Sequence, residues 1–394
     1  WRDWSSDVCS SDLYIDETPV AGMGSLGGGN PDLKYVDMQR IEVLRGPQGT
    51  LYGDGSIAGT VRVIPNAPDL SGFSAEIAGS ASSTADLGGQ NTMLRGVLNL
   101  PVVEDKFAIR VVGYDYDNSG YYNNIAGDNA DKATWADAFG GIVTSRRAGD
   151  DRYTGGRITA LWQVSEDFDV TLSHMTQDID QSGIPESMLA LGGKNRAPFQ
   201  RQDGSGETLT IDLDVTNLKM SLDMGSYELF SSTSIAESKT LQDRDLGAYF
   251  GPMLEVDDMP IYLADSAVAE QFTQELRLNT RLDGPLQFLV GAFYQDYKRT
   301  ANQKLTFEGA PELDPDGGEL LFESTFGDNL KQLAFFGEAS FDLTDQLTAV
   351  AGVRHYSYDK ESPDENDGVF NGGYTEGFVE NDDSGQTYKL SLNY

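Results

Sequence analysis

From about residue 71 onward the chain consists of recurring runs, roughly ten to fourteen residues long, in which apolar and polar side chains alternate. These runs fall at about 72–83, 91–101, 106–117, 153–164, 168–178, 213–223, 226–238, 270–281, 286–299, 331–341, 346–359 and 386–394, and they are rich in aromatic and β-branched residues. No helical period competes with them over a comparable length. The connections between the runs are of two kinds. One set is short, at 101–105, 165–167, 224–225, 282–285 and 342–345; the other is long, at about 118–152, 179–212, 239–269, 300–330 and 360–385. After the first hairpin the short and long connections alternate, which gathers the long ones at one end. Transmembrane barrels of the outer membrane are built this way, with tight turns on one side and long loops on the other. A soluble sandwich has no physical reason to segregate its loops, and structureless loops of this length count against a compact soluble domain.

Several runs display two faces. Leu286, Phe288, Val290, Ala292 and Tyr294 share one parity, and Gln287, Gly291 and Gln295 the other. Leu347, Ala349, Ala351 and Val353 oppose Thr348, Gly352 and Arg354, while Leu333, Phe335, Ala339 and Phe341 oppose Glu338 and Ser340. A lipid face and a polar lumen face explain the alternation. So would the core and surface of a β-sandwich, and the loop asymmetry decides between them.

Hydrophobic residues make up 39% of the 394 residues. No apolar run reaches the eighteen or so residues that a transmembrane helix requires. Strands of a barrel need no such run, and 18 Tyr, 18 Phe and 44 Gly suit aromatic girdles and long polar loops. The formal net charge of −35 repels nucleic acid. The acidity reads as a solvated surface, or alternatively as external loops that meet divalent cations. The single cysteine, Cys9, makes neither an intrachain disulfide nor a zinc site.

Residues 36–64 read VDMQRIEVLRGPQGTLYGDGSIAGTVRVI. Two β-type runs, 40–44 and 60–64, flank a glycine-dense series of turns: Arg45-Gly46-Pro47-Gln48-Gly49, Tyr52-Gly53, Gly55 and Gly59. Glycine at this density lets the backbone adopt positive φ and turn tightly. The segment resembles the plug domain of TonB-dependent outer-membrane receptors, whose plugs carry an I-E-V-L-R-G-P-x-G-x-L-Y-G run, a small-residue turn and a V-x-V-I-type strand. The matching positions are Glu42, Arg45, Gly46, Pro47, Gly49, Tyr52, Gly53 and Gly59.

The resemblance implies an all-β chain: a partial plug followed by an incomplete antiparallel transmembrane β-barrel, with about 12 of about 22 strands. The expected organisation is the C-terminal part of a plug at 14–69, with a strand at 14–20, and the N-terminal part of a barrel at 70–394. Residues 1–13, WRDWSSDVCSSDL, have neither the basic nor the apolar region of a signal peptide. They look like a translated sequencing adapter and are set apart from the fold. The family would place a signal peptide, a TonB box and the first half of the plug upstream, so truncation is expected at both ends.

Chemistry-bearing constellations are scarce. His174 and His355 fall on the apolar parity of their strands, as interfacial residues do. No catalytic triad, metalloprotease helix or phosphate loop is visible, no transition-metal site or cofactor is expected, and the chain does not read as an enzyme. Acidic clusters at 314–316, 364–367 and 380–383 lack EF-hand spacing and read as solvated turns. The resemblance also implies a latch, because plug arginines in the family pair with barrel glutamates. Here that assigns Arg45 and Arg62 on the plug and Glu275 and Glu338 on the polar parity of barrel strands. The loop at 21–30, with Gly22, Gly24, Gly27, Gly28, Gly29 and Asn30, is the candidate substrate-facing part of the plug.

What the resemblance implies for function is an outer-membrane receptor that takes up a scarce solute, by family default a ferric siderophore or other iron complex. TonB with its inner-membrane complex would supply the energy through the upstream segment. Partners would be TonB, outer-membrane lipid and a small-molecule substrate. The alternative is an acidic β-rich surface binding or adhesion domain. A secreted polysaccharide hydrolase would need a carboxylate pair at fixed separation, and no residues point to one.

Overall fold

The computed structural model describes residues 11–24, 30–53, 56, 58–86, 88–124, 145–183, 195–196, 207–246, 261–307 and 320–394. A small sheet is built from β1 (Ser11–Ile15), β2 (Thr18–Pro19), β3 (Met38–Arg45) and β4 (Gly59–Pro65), in the order β2-β1-β4-β3. β1 runs parallel to β4, and the other two pairings are antiparallel. A single helical turn, α1 (Gly49–Tyr52), lies between β3 and β4. The glycine motif has a direct steric reason at two positions. Gly46 turns the chain out of β3 at φ 80°, and a Cβ at Gly59 (φ 154°) would collide with the Leu44 carbonyl oxygen across the ladder.

The second sheet holds twelve strands. They are β5 (Ser74–Ser83), β6 (Gln90–Val103), β7 (Phe107–Asn118), β10 (Asp150–Ser165), β11 (Phe168–Ser182), β13 (Thr208–Asp223), β14 (Tyr227–Asp245), β15 (Ile261–Thr280), β16 (Leu286–Phe307), β17 (Leu320–Thr344), β18 (Leu347–Asp367) and β19 (Thr375–Asn393). Each pairs antiparallel with the one before it, and β5 and β19 form the two edges. β8 (Tyr122–Asn124), β9 (Ser145–Ala148) and β12 (Asn195–Arg196) make a separate three-stranded sheet. The twelve expected runs are all present, most of them longer than the sequence pattern indicates. β16 has 22 residues and β17 has 25, whereas about 9–11 suffice to cross a bilayer. The strands therefore project past the apolar band at the end that carries the long connections.

This projection changes two local readings. Residues 360–385 do not form a long loop: β18 and β19 run through them, and the acidic groups at 364–367 and 380–383 sit in strands. Beyond the bilayer no apolar alternation is required, so ladder hydrogen bonds continue where the sequence pattern falls silent. The cluster at 314–316 lies outside the described residues. Residues 14–20 are likewise not one strand. Asp16 adopts φ 56°, and β1 and β2 form a tight hairpin there. β1 also takes in Ser11, Asp12 and Leu13, which pair with Gly59, Thr60 and Val61, so the sheet includes the last three residues of the segment set apart on sequence.

The large sheet has inverted polarity. Val290, Phe335 and Ile235 are 50%, 56% and 59% exposed on its outer face. Asn217, Ser232, Ser234, Gln271, Thr273 and Arg354 are buried on the inner face. A soluble sandwich would bury the first set. His174 and His355 stand on the outer face as expected, and His174 Nδ1 lies 2.9 Å from Thr216 Oγ1 on the next strand.

The fate of Val290 tests this inversion. Replacing it with arginine in the full-length protein is expected to lower barrel stability by about 2–4 kcal/mol if the site faces the mid-bilayer. Denaturant titration of the assembled protein in lipid measures it. A neutral outcome is what a water-exposed strand would give.

Candidate functional site: the plug–lumen interface

The small sheet docks on the concave, polar face of the large one. Part of the contact is apolar. Leu13, Ile15, Val20, Met23, Leu33 and Val63 of the plug share a buried cluster with Met175, Leu213, Val215, Ala236 and Ala269 of the barrel strands. The remainder is polar and paired, as burial of polar groups demands.

The most enclosed ionic contact is Asp37, just before β3. Arg110 of β7 grips its carboxylate with both arms, Nε to Oδ2 at 2.7 Å and Nη2 to Oδ1 at 2.6 Å. Arg157 of the neighbouring strand β10 adds Nη2 to Oδ2 at 3.1 Å and to the Asp37 carbonyl at 3.0 Å. Asn66 donates to Oδ1 at 2.8 Å from the plug side. The side chains of Asp37 and Arg157 are 6% and 5% exposed. Burial alone would raise the Asp37 carboxyl, but the hydrogen bonds from Arg110 and Asn66 and the two arginine charges outweigh it and hold it below the ordinary aspartate range.

A second contact is a chain of alternating charges. Glu42 meets Arg62 at 3.0 Å, and Arg62 meets Glu17 at 2.7 Å. Glu17 also pairs with Arg277 of β15, which lies 3.0 Å from Glu275 and stacks 4.5 Å above the Phe230 ring. Glu17 occupies the β1–β2 turn, so this tight turn carries a carboxylate to the wall. Beside it, Asp16 pairs with Lys219 of β13. Neutral contacts fill the gaps: Thr18 donates to Ser234 at 2.9 Å, Gln271 donates to the Pro19 carbonyl at 2.7 Å, and Gln177 accepts from the Lys34 amide at 2.9 Å. Arg354 of β18 lies beneath α1 between Phe293 and Phe336, with Nη1 3.5 Å from the Leu51 carbonyl.

The expected latch is thus differently wired. Arg62 and Glu275 join one network, but only through Glu17 and Arg277. Glu338 pairs with Lys389 of β19 at 2.9 Å. Arg45 is exposed and makes no ion pair with a described residue, so its pairing with Glu275 and Glu338 is not formed here. The carboxylates that reach across belong to the plug, and the arginines belong to the barrel. Sequence reasoning missed Asp37, Glu17, Arg110, Arg157 and Arg277. One signal was available: Arg277 shares the inward parity of Glu275. In the loop at 21–30, the Gly22 carbonyl accepts from the Tyr297 hydroxyl at 3.2 Å, Gly24 is buried and Asn30 is exposed. Gly27, Gly28 and Gly29 lie outside the described residues.

This geometry has counterparts among known proteins. The family described as the TonB-dependent receptor plug domain matches residues 4–60. The pesticin receptor of Yersinia enterocolitica is 25% identical over 367 residues, covering 89% of this chain and 45% of the relative. The pesticin receptor of Yersinia pestis is 24% identical with the same coverage. The chain therefore spans about half the length of the curated relatives it matches. Among solved structures, the ferric yersiniabactin uptake receptor of Yersinia pestis superposes with a TM-score of 0.75 at 17% identity, over 97% of this chain and 53% of that one. The siderophore receptor PiuA of Acinetobacter baumannii gives 0.67 at 15% identity, over 98% and 55%. Residues 4–60 thus match the TonB-dependent receptor plug family, and the chain shares with these solved receptors the fold in which a plug docks on an antiparallel sheet of barrel strands.

Two outcomes test the wiring. Asp37 has a depressed folded-state value, so its contribution is complete above the ordinary aspartate value near 3.9 and is lost as pH falls through the folded value. Hydrogen-exchange protection of β3 and β4 should accordingly hold at neutral pH and decline only under acid conditions below that range, whereas Asp37→Asn should lower it at neutral pH already. Separately, Glu17→Gln should reduce plug protection at neutral pH while Arg45→Ala leaves it unchanged. The reverse ranking would restore the Arg45 latch.

Proposed function

We propose that this receptor binds a ferric siderophore or a similar iron complex at the end of the lumen that carries the long connections, and passes it inward by energised rearrangement of the plug. TonB and its inner-membrane complex supply the work, and no covalent chemistry is performed on the solute. The observation that carries this reading is the character of the plug–lumen contact. A plug held by ion pairs and side-chain hydrogen bonds to a polar wall can exchange those partners for water as it moves. A contact made only of apolar surface would have to expose that surface.

The relatives support the choice of solute. Receptors named for ferric yersiniabactin and for siderophores share this architecture, and the sequence relatives are pesticin receptors. The inward face of the large sheet suits a hydrated passage, and its outward apolar face suits lipid. An adhesion domain would have no use for a plug.

The proposal is tested by growth. A strain lacking the gene, starved of iron and complemented with the full gene, is expected to recover on at least one ferric siderophore, with radiolabelled iron accumulating in the cells. Removing TonB should abolish the recovery. Rescue that persists without TonB, or iron accumulation identical with and without the gene, would contradict it.

A further inference from the structure

A cavity of about 600 Å³ opens among the outermost ends of β5, β6, β7 and β10, apart from the plug contacts. Ser83, Gln90, Asp117, Ser119, Gly120 and Asp150 line it, with the glycines of the β5–β6 turn. It belongs to the outer face of the sheet. Ser83 and Gln90 are opposed in register and share the outward parity of Ile77 and Leu94. Asp117 and Asp150 share that of Val111 and Ile158. Gln90 lies four residues beyond Leu94 toward the end that carries the long connections, and the two aspartates lie farther still beyond their apolar counterparts. The cavity therefore stands roughly 13 Å or more along the strands past the last large apolar side chains of their outer face.

Its walls are tied together by hydrogen bonds that leave lining groups available. Asn91 accepts from the Ser119 amide at 2.8 Å and donates to the Ser82 and Thr84 hydroxyls at 3.2 and 3.1 Å, so the ends of β5, β6 and β7 hold one shape. The β5–β6 turn closes on itself, with the Thr84 amide donating to the Gly89 carbonyl at 2.9 Å. Arg152, opposite Asp117 in register, is taken by Asp115, with Nε at 3.0 Å and Nη2 at 2.6 Å from Oδ2. Asp117 accepts no hydrogen bond from a described residue, and Asp150 accepts from the Ser182 hydroxyl.

The lining selects a class of ligand by elimination. Serine, glutamine, aspartate and glycine offer no aliphatic or aromatic wall to an acyl chain or a flat apolar ring. Two carboxylates on a chain of net charge −35 repel an anion. Asp150, two residues along from Arg152, is the diagonal neighbour of Asp117, about 7–8 Å away. That spacing does not wrap one divalent ion, which needs its oxygens within about 2.6 Å, and the Arg152 guanidinium beside both acids repels it. A neutral molecule rich in hydroxyls fits what remains. Its O–H groups donate to the two carboxylates in charge-assisted bonds, and its oxygens accept from the Gln90 amide and the Ser83 hydroxyl.

We propose that this cavity is a surface site for a neutral saccharide unit, separate from the passage along the lumen. The inference stands independently of the uptake reading. The saccharide comes from the medium or from headgroups of the lipid around the outer face, and its hydroxyl chemistry is the same in both.

The test is isothermal titration calorimetry of the purified full-length protein in an amine-oxide detergent, which carries no sugar. The probes are neutral oligosaccharides of glucose, galactose and heptose, with sialyllactose as the anionic counterpart. Wild type is expected to bind at least one neutral probe with a Kd of about 1 mM or lower, and sialyllactose more weakly. Asp117→Ala should weaken the neutral binding about 10- to 100-fold, the range for loss of a hydrogen bond to a charged group. Ser83→Trp, which fills the cavity without altering a charge, should abolish it, while Asp345→Ala, on a short turn at the opposite end, leaves it unchanged. Repeating the titration in lipid nanodiscs with and without lipooligosaccharide separates the sources. Headgroup occupancy blocks the soluble probe only in the glycolipid discs, whereas a ligand taken from the medium binds equally in both. Absence of binding by every neutral probe, unchanged affinity in Asp117→Ala or in Ser83→Trp, or a preference for sialyllactose overturns the proposal.

Discussion

A carboxylate of the plug seated between two arginines of the barrel is the contact on which the arrangement turns. Asp37 is held by Arg110 and Arg157 from adjacent strands, and it precedes the strand that leads into the glycine motif. Removing one member of such a buried set leaves the others without a partner, at a penalty of about 3–5 kcal/mol. The two arginines are constrained in turn, because β7 and β10 pair with Arg157 opposite Val112 and Arg110 opposite Thr159. Clamp and sheet register therefore specify each other.

The Glu17 chain repeats the device along the same rim of the small sheet, where β1 ends beside Val63 and β3 begins beside Pro65. There too the acid is on the small sheet and the base on the wall. Arg277 is pinned by Glu275 and by the Phe230 ring, so the wall presents a preorganised cation and the plug supplies the matching charge. Alongside the clamps a shared apolar cluster, with Val20 and Met23 fully buried, gives the docking its non-directional part. Ion pairs fix register and orientation, and burial of apolar surface supplies much of the adhesion.

The architecture was legible in the sequence because the bilayer imposes it. Outward positions such as Phe288 and Val290 must be apolar and tight turns must alternate with long connections, so strand count and face assignment followed from pattern alone. Strand ends were not legible: above the membrane the alternation lapses while backbone pairing continues, as at 360–367 in β18. The plug motif was also plain, since Gly46 and Gly59 are dictated by sterics. The partners across the interface were not. Polar parity shows that a side chain faces the lumen, but which carboxylate meets which guanidinium depends on how the plug is seated. Glu275 shares the inward parity of Arg277, and it pairs with that cation two residues away on its own strand rather than with Arg45 on the plug.

The central claim is that Asp37 and the barrel arginines act as one unit. A double-mutant cycle between Asp37→Asn and Arg157→Gln, read as hydrogen-exchange protection of β3 and β4 in the full-length receptor, addresses it most directly. If the pair is coupled, the double variant loses little more protection than the worse single one, with an interaction energy of at least about 1 kcal/mol. Additive losses from the two substitutions would contradict the claim.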